Sequence, residues 1–189
     1  MRLLMIGAPG AGKGTQALRL AERLDLTHIS SGELLRKHIA AETALGRTVQ
    51  EYVARGDLVP DQYVLDMLRK PIVAASQSGG YILDGFPRTV EQASIAYETA
   101  RELGVAVQVA VYLDVPHEEL VQRLLARSRG SDDTREVIEH RLEVFEQMTL
   151  PMVDYYAERE LLLRVEGARP PDEVTEAVIA SLEAVRPHL

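Results

Sequence analysis

The sequence predicts an α/β fold, a parallel sheet with helices on both faces. Two patterns carry that prediction: short, wholly apolar runs of strand length, and amphipathic stretches of helical length that separate them. A third observation, a glycine-rich loop between the first run and the first amphipathic stretch, marks the first strand-to-helix turn. At 189 residues the chain is long enough for one domain with a sizeable core.

The elements follow in order. Leu3 to Ile6 is the first apolar run and reads as a buried parallel strand. From Gly14 to Leu24 the apolar residues Ala17, Leu20, Ala21 and Leu24 recur at helical spacing. Further strands are expected at Tyr81 to Leu83, closed by Asp84-Gly85, at Val105 to Leu113, the longest, and at Leu161 to Val165 before Glu166-Gly167. Helices are expected over about 62–75, 90–103, 118–126, 136–156 and 172–185. Pro116 with Glu118 and Glu119 behind it marks a helix start, since a missing N–H costs nothing there and acids suit the positive end. Gly104 marks a helix stop. Two segments carry no strand pattern: Ser30 to Val59, helix-like and polar, and Arg127 to Arg135, reading RSRGSDDTR. Both are expected to be excursions from the sheet edge, with a solvated helical insertion and a solvated loop as the plain alternatives.

Composition bounds the partners. Lysine and arginine total 21 against 29 acidic residues, a net charge of −8. That balance argues against nucleic acid or an anionic membrane as a general partner, while leaving room for a local anion site. No apolar run approaches the ~18 residues of a membrane span. With no cysteine, disulfides, thiolate metal sites and cysteine nucleophiles are all excluded. The apolar start is too short for a secretory signal, so a cytoplasmic location is expected. The histidines at 28, 38, 117, 140 and 188 show no metal-ligand spacing and are assigned surface or packing roles.

One motif carries chemistry. Gly7-Ala8-Pro9-Gly10-Ala11-Gly12-Lys13-Gly14-Thr15 contains G-x-x-x-x-G-K between a strand and a helix, the context of a phosphate loop. Glycines let backbone N–H groups converge on an anion, the helix N-terminus adds partial positive charge, and Lys13 reaches the phosphates. Lys13 is followed by Gly14, so the hydroxyl arrives one position late, as Thr15, which weakens it as a direct magnesium ligand. Asp84, ending a strand, is the alternative partner for Mg2+, through water, or else a plain turn residue before Gly85.

The strings GAPGAGKGTQ at 7–16, SSGELLR at 30–36 and LDGFPRTVEQ at 83–92, with the stretch from Arg123 through Arg141, together resemble the adenylate kinase family over essentially the whole chain. The resemblance implies a P-loop kinase: a five-stranded parallel sheet flanked by helices in one domain, 1–189. It also implies a nucleoside-monophosphate-binding insertion at 30–59 and a short lid at about 126–136. Carried over by residue, Gly10, Ala11, Gly12, Lys13, Gly14 and Thr15 would wrap the ATP phosphates, with Arg123 over the adenine and Gly167 lining it. Ser31, Arg36, Asp57, Leu58, Val59, Gly85, Phe86, Pro87, Arg88 and Gln92 would hold AMP. Guanidinium groups suit this role because they take phosphate bidentately. Ser30-Ser31-Gly32-Glu33 also contains a capping box, so a serine here could simply start a helix. Gln92 can read the adenine edge with a donor and an acceptor together.

Arg127, Arg129 and Arg141 resemble the arginines that clamp the transferring phosphoryl group, Arg129 and Arg141 on the AMP side. The lid reads Arg129-Gly130-Ser131-Asp132-Asp133, one residue longer than the family's usual spacing, which leaves Arg129 and Arg135 as alternatives for that contact. A lid this short and free of cysteine has no structural zinc. The implied reaction is reversible: MgATP plus AMP gives two ADP, with Lys13, Arg88, Arg127 and Arg141 as catalytic residues. The family usually works as a monomer. Two other readings are a kinase for UMP, CMP or another monophosphate, and a nucleotide-responsive binding protein that performs no transfer.

Overall fold

The computed structural model describes residues 1–127 and 134–185. Five strands form one sheet: β1 (Arg2–Ile6), β2 (Thr27–Ser30), β3 (Tyr81–Asp84), β4 (Val109–Asp114) and β5 (Leu162–Glu166). All pairs are parallel, in the order β2-β3-β1-β4-β5. Each parallel connection therefore needs a crossover, and helices supply it: α1 (Lys13–Leu24) follows β1, α5 (Val90–Glu102) follows β3, and α6 (His117–Arg127) follows β4. The remaining helices are α2 (Ser31–Ala40), α3 (Ala44–Arg55), α4 (Asp61–Gln77), α7 (Arg135–Val144), α8 (Pro151–Ala157) and α9 (Pro171–Val185).

The core lies on the central strand. Leu3, Leu4, Met5 and Ile6 are each 2% exposed or less, as a strand covered by helices on both faces requires. Burying each such side chain contributes about 1.5–3 kcal/mol. Ala17 and Leu20 of α1 are buried against this layer, with Ala21 and Leu24 packed at its edge. The one polar group α1 buries is satisfied. Gln16 Nε2 donates to Pro171 O at 2.9 Å and its Oε1 accepts from Thr175 at 2.7 Å, tying α1 to α9.

Three expectations need correction. Thr27–Ser30 is a strand, so the 30–59 segment begins on the sheet: β2 pairs with β3 from Thr27↔Tyr81 to Ser30↔Asp84. Its sequence, Thr-His-Ile-Ser, has no apolar run, and only its last two residues are buried. The long strand expected from Val105 begins only at Val109, because the Val105 N–H is already bonded to Ala100 O at the end of α5. Gly104 does act as the stop. The helix expected over 136–156 is divided by a π-helical turn at Phe145–Thr149, closed by Leu150 N–H to Phe145 O at 2.8 Å. Pro151, which has no N–H, starts α8 immediately after it. The helix expected over about 118–126 is found at His117–Arg127, with Pro116 O accepting from both Glu119 and Leu120 as its start.

The register aligns the site. Met5 pairs with Asp84, and Asp84 with Ser30, so the carboxyl ends of β1, β3 and β2 lie in one row. The segments that leave those ends are the glycine loop, Gly85 to Thr89, and Ser31 with α2. They are brought together at the rim where open α/β sheets bind ligands, between strands whose connections run in opposite directions.

Candidate active site

The glycine loop closes with Ala11 N–H to Ala8 O at 3.1 Å, and the first helical bond of α1 is Gln16 N–H to Gly12 O at 2.9 Å. The N–H groups of Lys13, Gly14 and Thr15 therefore open the helix in its first turn, where an anion is favoured. The Lys13 ammonium folds back over the loop and donates to Gly7 O at 2.8 Å and Ala8 O at 3.0 Å. A Cβ on Gly14 would lie 3.8 Å from Asp84 Oδ2, whereas Thr15, one step round the helix, is exposed. Asp84 is 8% exposed and its Oδ1 makes no hydrogen bond. An unsatisfied buried carboxylate oxygen beside a phosphate loop suits a hydrated magnesium ion, which takes oxygen ligands and keeps several of its waters. Among the described residues no cluster of three or more potential metal ligands occurs.

The second set of predicted residues lines a pocket between α2, the end of α3 and the β3–α5 loop. Ser31, Arg36, Asp57, Leu58, Val59, Gly85, Phe86, Arg88, Gln92 and Arg141 all border it. Ser30 caps α2, its Oγ accepting from Glu33 N–H at 3.3 Å, which leaves the neighbouring serine for another task. The Ser31 hydroxyl is buried without a partner and lies 2.5 Å from where a Cβ on Gly85 would stand. Gly85 has φ +86°, so any side chain there would be both strained and in collision. Arg36 folds back until Nη1 is 3.3 Å from the Cβ position of Gly32.

Arg88 stands between the two halves. Its Nε donates to Gly85 O at 2.7 Å, and its own carbonyl accepts from Thr149 Oγ1 at 2.7 Å. Burial holds its guanidinium below the ordinary value; Asp84 pulls it back up and the neighbouring Arg36 adds to the lowering. Two guanidinium groups sharing one pocket are an anion site in electrostatic terms. A further pocket is lined by Gly7, Pro9, Lys13, Pro87 and Thr149, and it shares Gly56, Leu58, Gly85, Arg88 and Arg141 with the first. The two pockets adjoin, with two arginines on the common wall.

Gly56 closes α3 at φ +80° and seats its backbone against α7: a Cβ there would come within 2.6 Å of Arg141 Cγ. The next residue, Asp57, accepts from His140 Nε2 at 2.9 Å and from Arg55 Nε at 2.8 Å. Those hydrogen bonds, the one from His140 foremost, hold its carboxyl below the usual value. Beyond the ends of β4 and β5, Arg123 Nη2 donates to Gly167 O at 3.1 Å and to Glu119, which brings together the two residues expected at the ATP adenine. Arg127 ends α6, and Arg129 lies outside the described residues. Arg135 is exposed, 3.8 Å from Glu139.

Three contributors escaped the sequence reading. Thr149 holds the Arg88 backbone from the π-helical turn, a distortion often found at functional sites. His140 and Asp61 reach Asp57 and Gln92 from distant parts of the chain. Only Pro151 behind a helical stretch hinted at the first, and no local pattern signals the other two.

A phosphate loop on a 2-3-1-4-5 parallel sheet, with a second cationic pocket against it, defines a P-loop nucleotide-binding protein. Comparison with known proteins narrows that class. The adenylate kinase family pattern matches residues 5–161. The chain is 44% identical over 185 residues to the adenylate kinase of Kocuria rhizophila, covering 96% of this chain and 98% of that one. It is 45% identical over 181 residues to adenylate kinase 1 of a Nostoc species, with 96% and 98% covered. It is 41% identical over 187 residues to the adenylate kinase of Stenotrophomonas maltophilia, with 97% and 100% covered. This chain belongs to the adenylate kinase family.

Proposed function

We propose that the chain is an ATP:AMP phosphotransferase that interconverts ATP plus AMP and two ADP. The observation that carries this reading is the common wall of the two pockets. Arg88 and Arg141 stand between a pocket with Lys13 and a pocket with Ser31, Arg36 and Gln92. A protein that only sensed ATP would have no use for a second cationic pocket there.

In this reading the loop from Gly10 to Thr15 holds the ATP phosphates, with Arg123 and Gly167 at the adenine. Ser31, Arg36, the 57–59 backbone, Gly85, Phe86, Pro87 and Gln92 hold AMP. In-line phosphoryl transfer needs positioning and charge stabilisation more than covalent participation. Lys13, Arg88, Arg127 and Arg141 supply that charge, and a lid arginine, Arg129 or Arg135, completes the clamp. Asp84 is the residue that would hold Mg2+, through water, with Thr15 as the weaker candidate; when bound, the ion would neutralise charge on the ATP phosphates. Water competes with AMP as acceptor, which gives the 30–59 insertion and the 126–136 lid a reason to close over the substrates. We extend the proposal to a cytoplasmic monomer whose partners are ATP, AMP and ADP, not nucleic acid or membrane. Among the described residues no helix is long and apolar enough to cross a membrane.

A coupled assay with ATP and each of AMP, CMP, UMP and GMP tests the reading. Preference for AMP, together with conversion of ADP into ATP and AMP, is the expected result. Preference for another monophosphate would overturn the substrate assignment, and ATP binding without transfer would make the protein a sensor.

A further inference from the structure

Gln92 is 6% exposed and borders the monophosphate pocket, and its side-chain amide is held at both ends. Its Oε1 accepts from the backbone N–H of Arg88 at 2.7 Å, while its Nε2 donates to Asp61 Oδ1. Neither partner can exchange roles. A peptide N–H only donates, and an ionised carboxylate only accepts. Turning the amide over would set its oxygen against the Asp61 carboxylate and its NH2 against the Arg88 N–H. Both hydrogen bonds would be lost and two repulsions gained. The amide is thereby fixed in one hand, which at a freely rotating glutamine it would not be.

An amide has two donor hydrogens and two acceptor lone pairs, so these contacts leave one of each for a ligand. A 6-aminopurine offers a donor at its exocyclic amine and an acceptor at N1. A 6-oxopurine offers the reverse pair, an acceptor at O6 and a donor at N1. An amide free to flip could serve either base; an amide held in one hand serves one.

We infer that Asp61 is a specificity-determining positioning residue, which fixes the hand of the Gln92 amide and so selects a 6-aminopurine over a 6-oxopurine monophosphate. The inference rests on the proposed AMP site and adds to it a residue that touches no substrate. Asp61 is exposed and opens α4 behind Pro60, so nothing in the packing of the core demands a carboxylate there. Its reach to Gln92 spans 31 positions of the chain.

The test uses the full chain as Asp61→Asn and Asp61→Ala, assayed with ATP against AMP, IMP and GMP. Each hydrogen bond that defines the hand contributes on the order of tenfold to discrimination. The ratio of kcat/KM for AMP to that for IMP or GMP should therefore fall about tenfold in both variants. The change should come through KM for the monophosphate more than through kcat, and KM for ATP should move least. An unchanged ratio would overturn the inference. So would an equal loss with all three acceptors accompanied by a lower urea midpoint, which is the signature of a helix-start role. A parent protein that shows no preference for AMP would overturn the proposed function itself, and this inference with it.

Discussion

Replacing Gly56 by alanine should damage turnover through Arg141 while leaving the fold intact. Gly56 has φ +80°, where an L residue costs roughly 1–2 kcal/mol, offset by up to ~1 kcal/mol of unfolded-state entropy. The new Cβ would stand 2.6 Å from Arg141 Cγ and 3.2 Å from Cδ, with Val137 Cγ1 behind at 3.5 Å. To reach ordinary contact the arginine stem must retreat by about 0.8 Å, and leaving its rotamer well costs a further ~0.5–1.5 kcal/mol. The sum is about 0.5–3.5 kcal/mol of stability, a fall in Tm of roughly 1–14 °C for a chain of this size. A misplacement approaching 1 Å in a group that must meet a reacting phosphoryl costs up to about 100-fold in rate. Urea unfolding and steady-state assays on the same preparation separate the two effects. Lost stability with turnover within twofold of the parent would refute the claim that Arg141 placement depends on this contact. Unchanged stability would refute the steric argument itself.

Lys13→Ala or Arg88→Ala should lower kcat by more than ~100-fold, comparable to the loss of one preorganised donor, and a variant with near-parent turnover would remove that residue from the mechanism. Burial pushes the Tyr81 phenol up to about 12 while its hydroxyl donates to Val105 O at 2.7 Å. The folded protein thus binds that proton more tightly than the unfolded chain, so this contribution is complete below about pH 10 and is lost as pH rises through about 12. Tyr81→Phe should flatten the fall of the urea-unfolding free energy above pH 10 by up to ~1.4 kcal/mol per pH unit. An alkaline limb identical to the parent's would contradict this assignment. Asp57 has the opposite sign. Its lowered pKa contributes stability that is present above its ordinary value of 3.8 and lost as pH falls through the lower folded value. Asp57→Asn should remove that part of the acid limb, a small one because His140 and Asp57 are both more than a third exposed.

Strands β1, β3 and β4 and the helices between them were legible because burial on both faces leaves an apolar run, and burial on one leaves a helical repeat; β5, at a sheet edge, was legible through the partly buried Leu161 to Leu163. β2 was not, since an edge strand of Thr-His-Ile-Ser buries too little to leave a run; its existence depends on pairing with β3. Most of the candidate site could be named from its strings, because a phosphate loop works through consecutive backbone N–H groups and its chemistry is therefore local. The net charge of −8 likewise concealed a cationic site, since Lys13, Arg36, Arg88 and Arg141 become one cluster only when strand ends converge.

What the chain determined alone was the residue types and the local turns that present them. What tertiary structure decided was which groups hold which. Thr149 supports Arg88 across 61 positions, His140 meets Asp57 across 83, and Asp61 meets Gln92 across 31. The physical reason is that a hydrogen bond requires partners within about 3 Å, and for residues this far apart only the packed sheet and its helices bring them there.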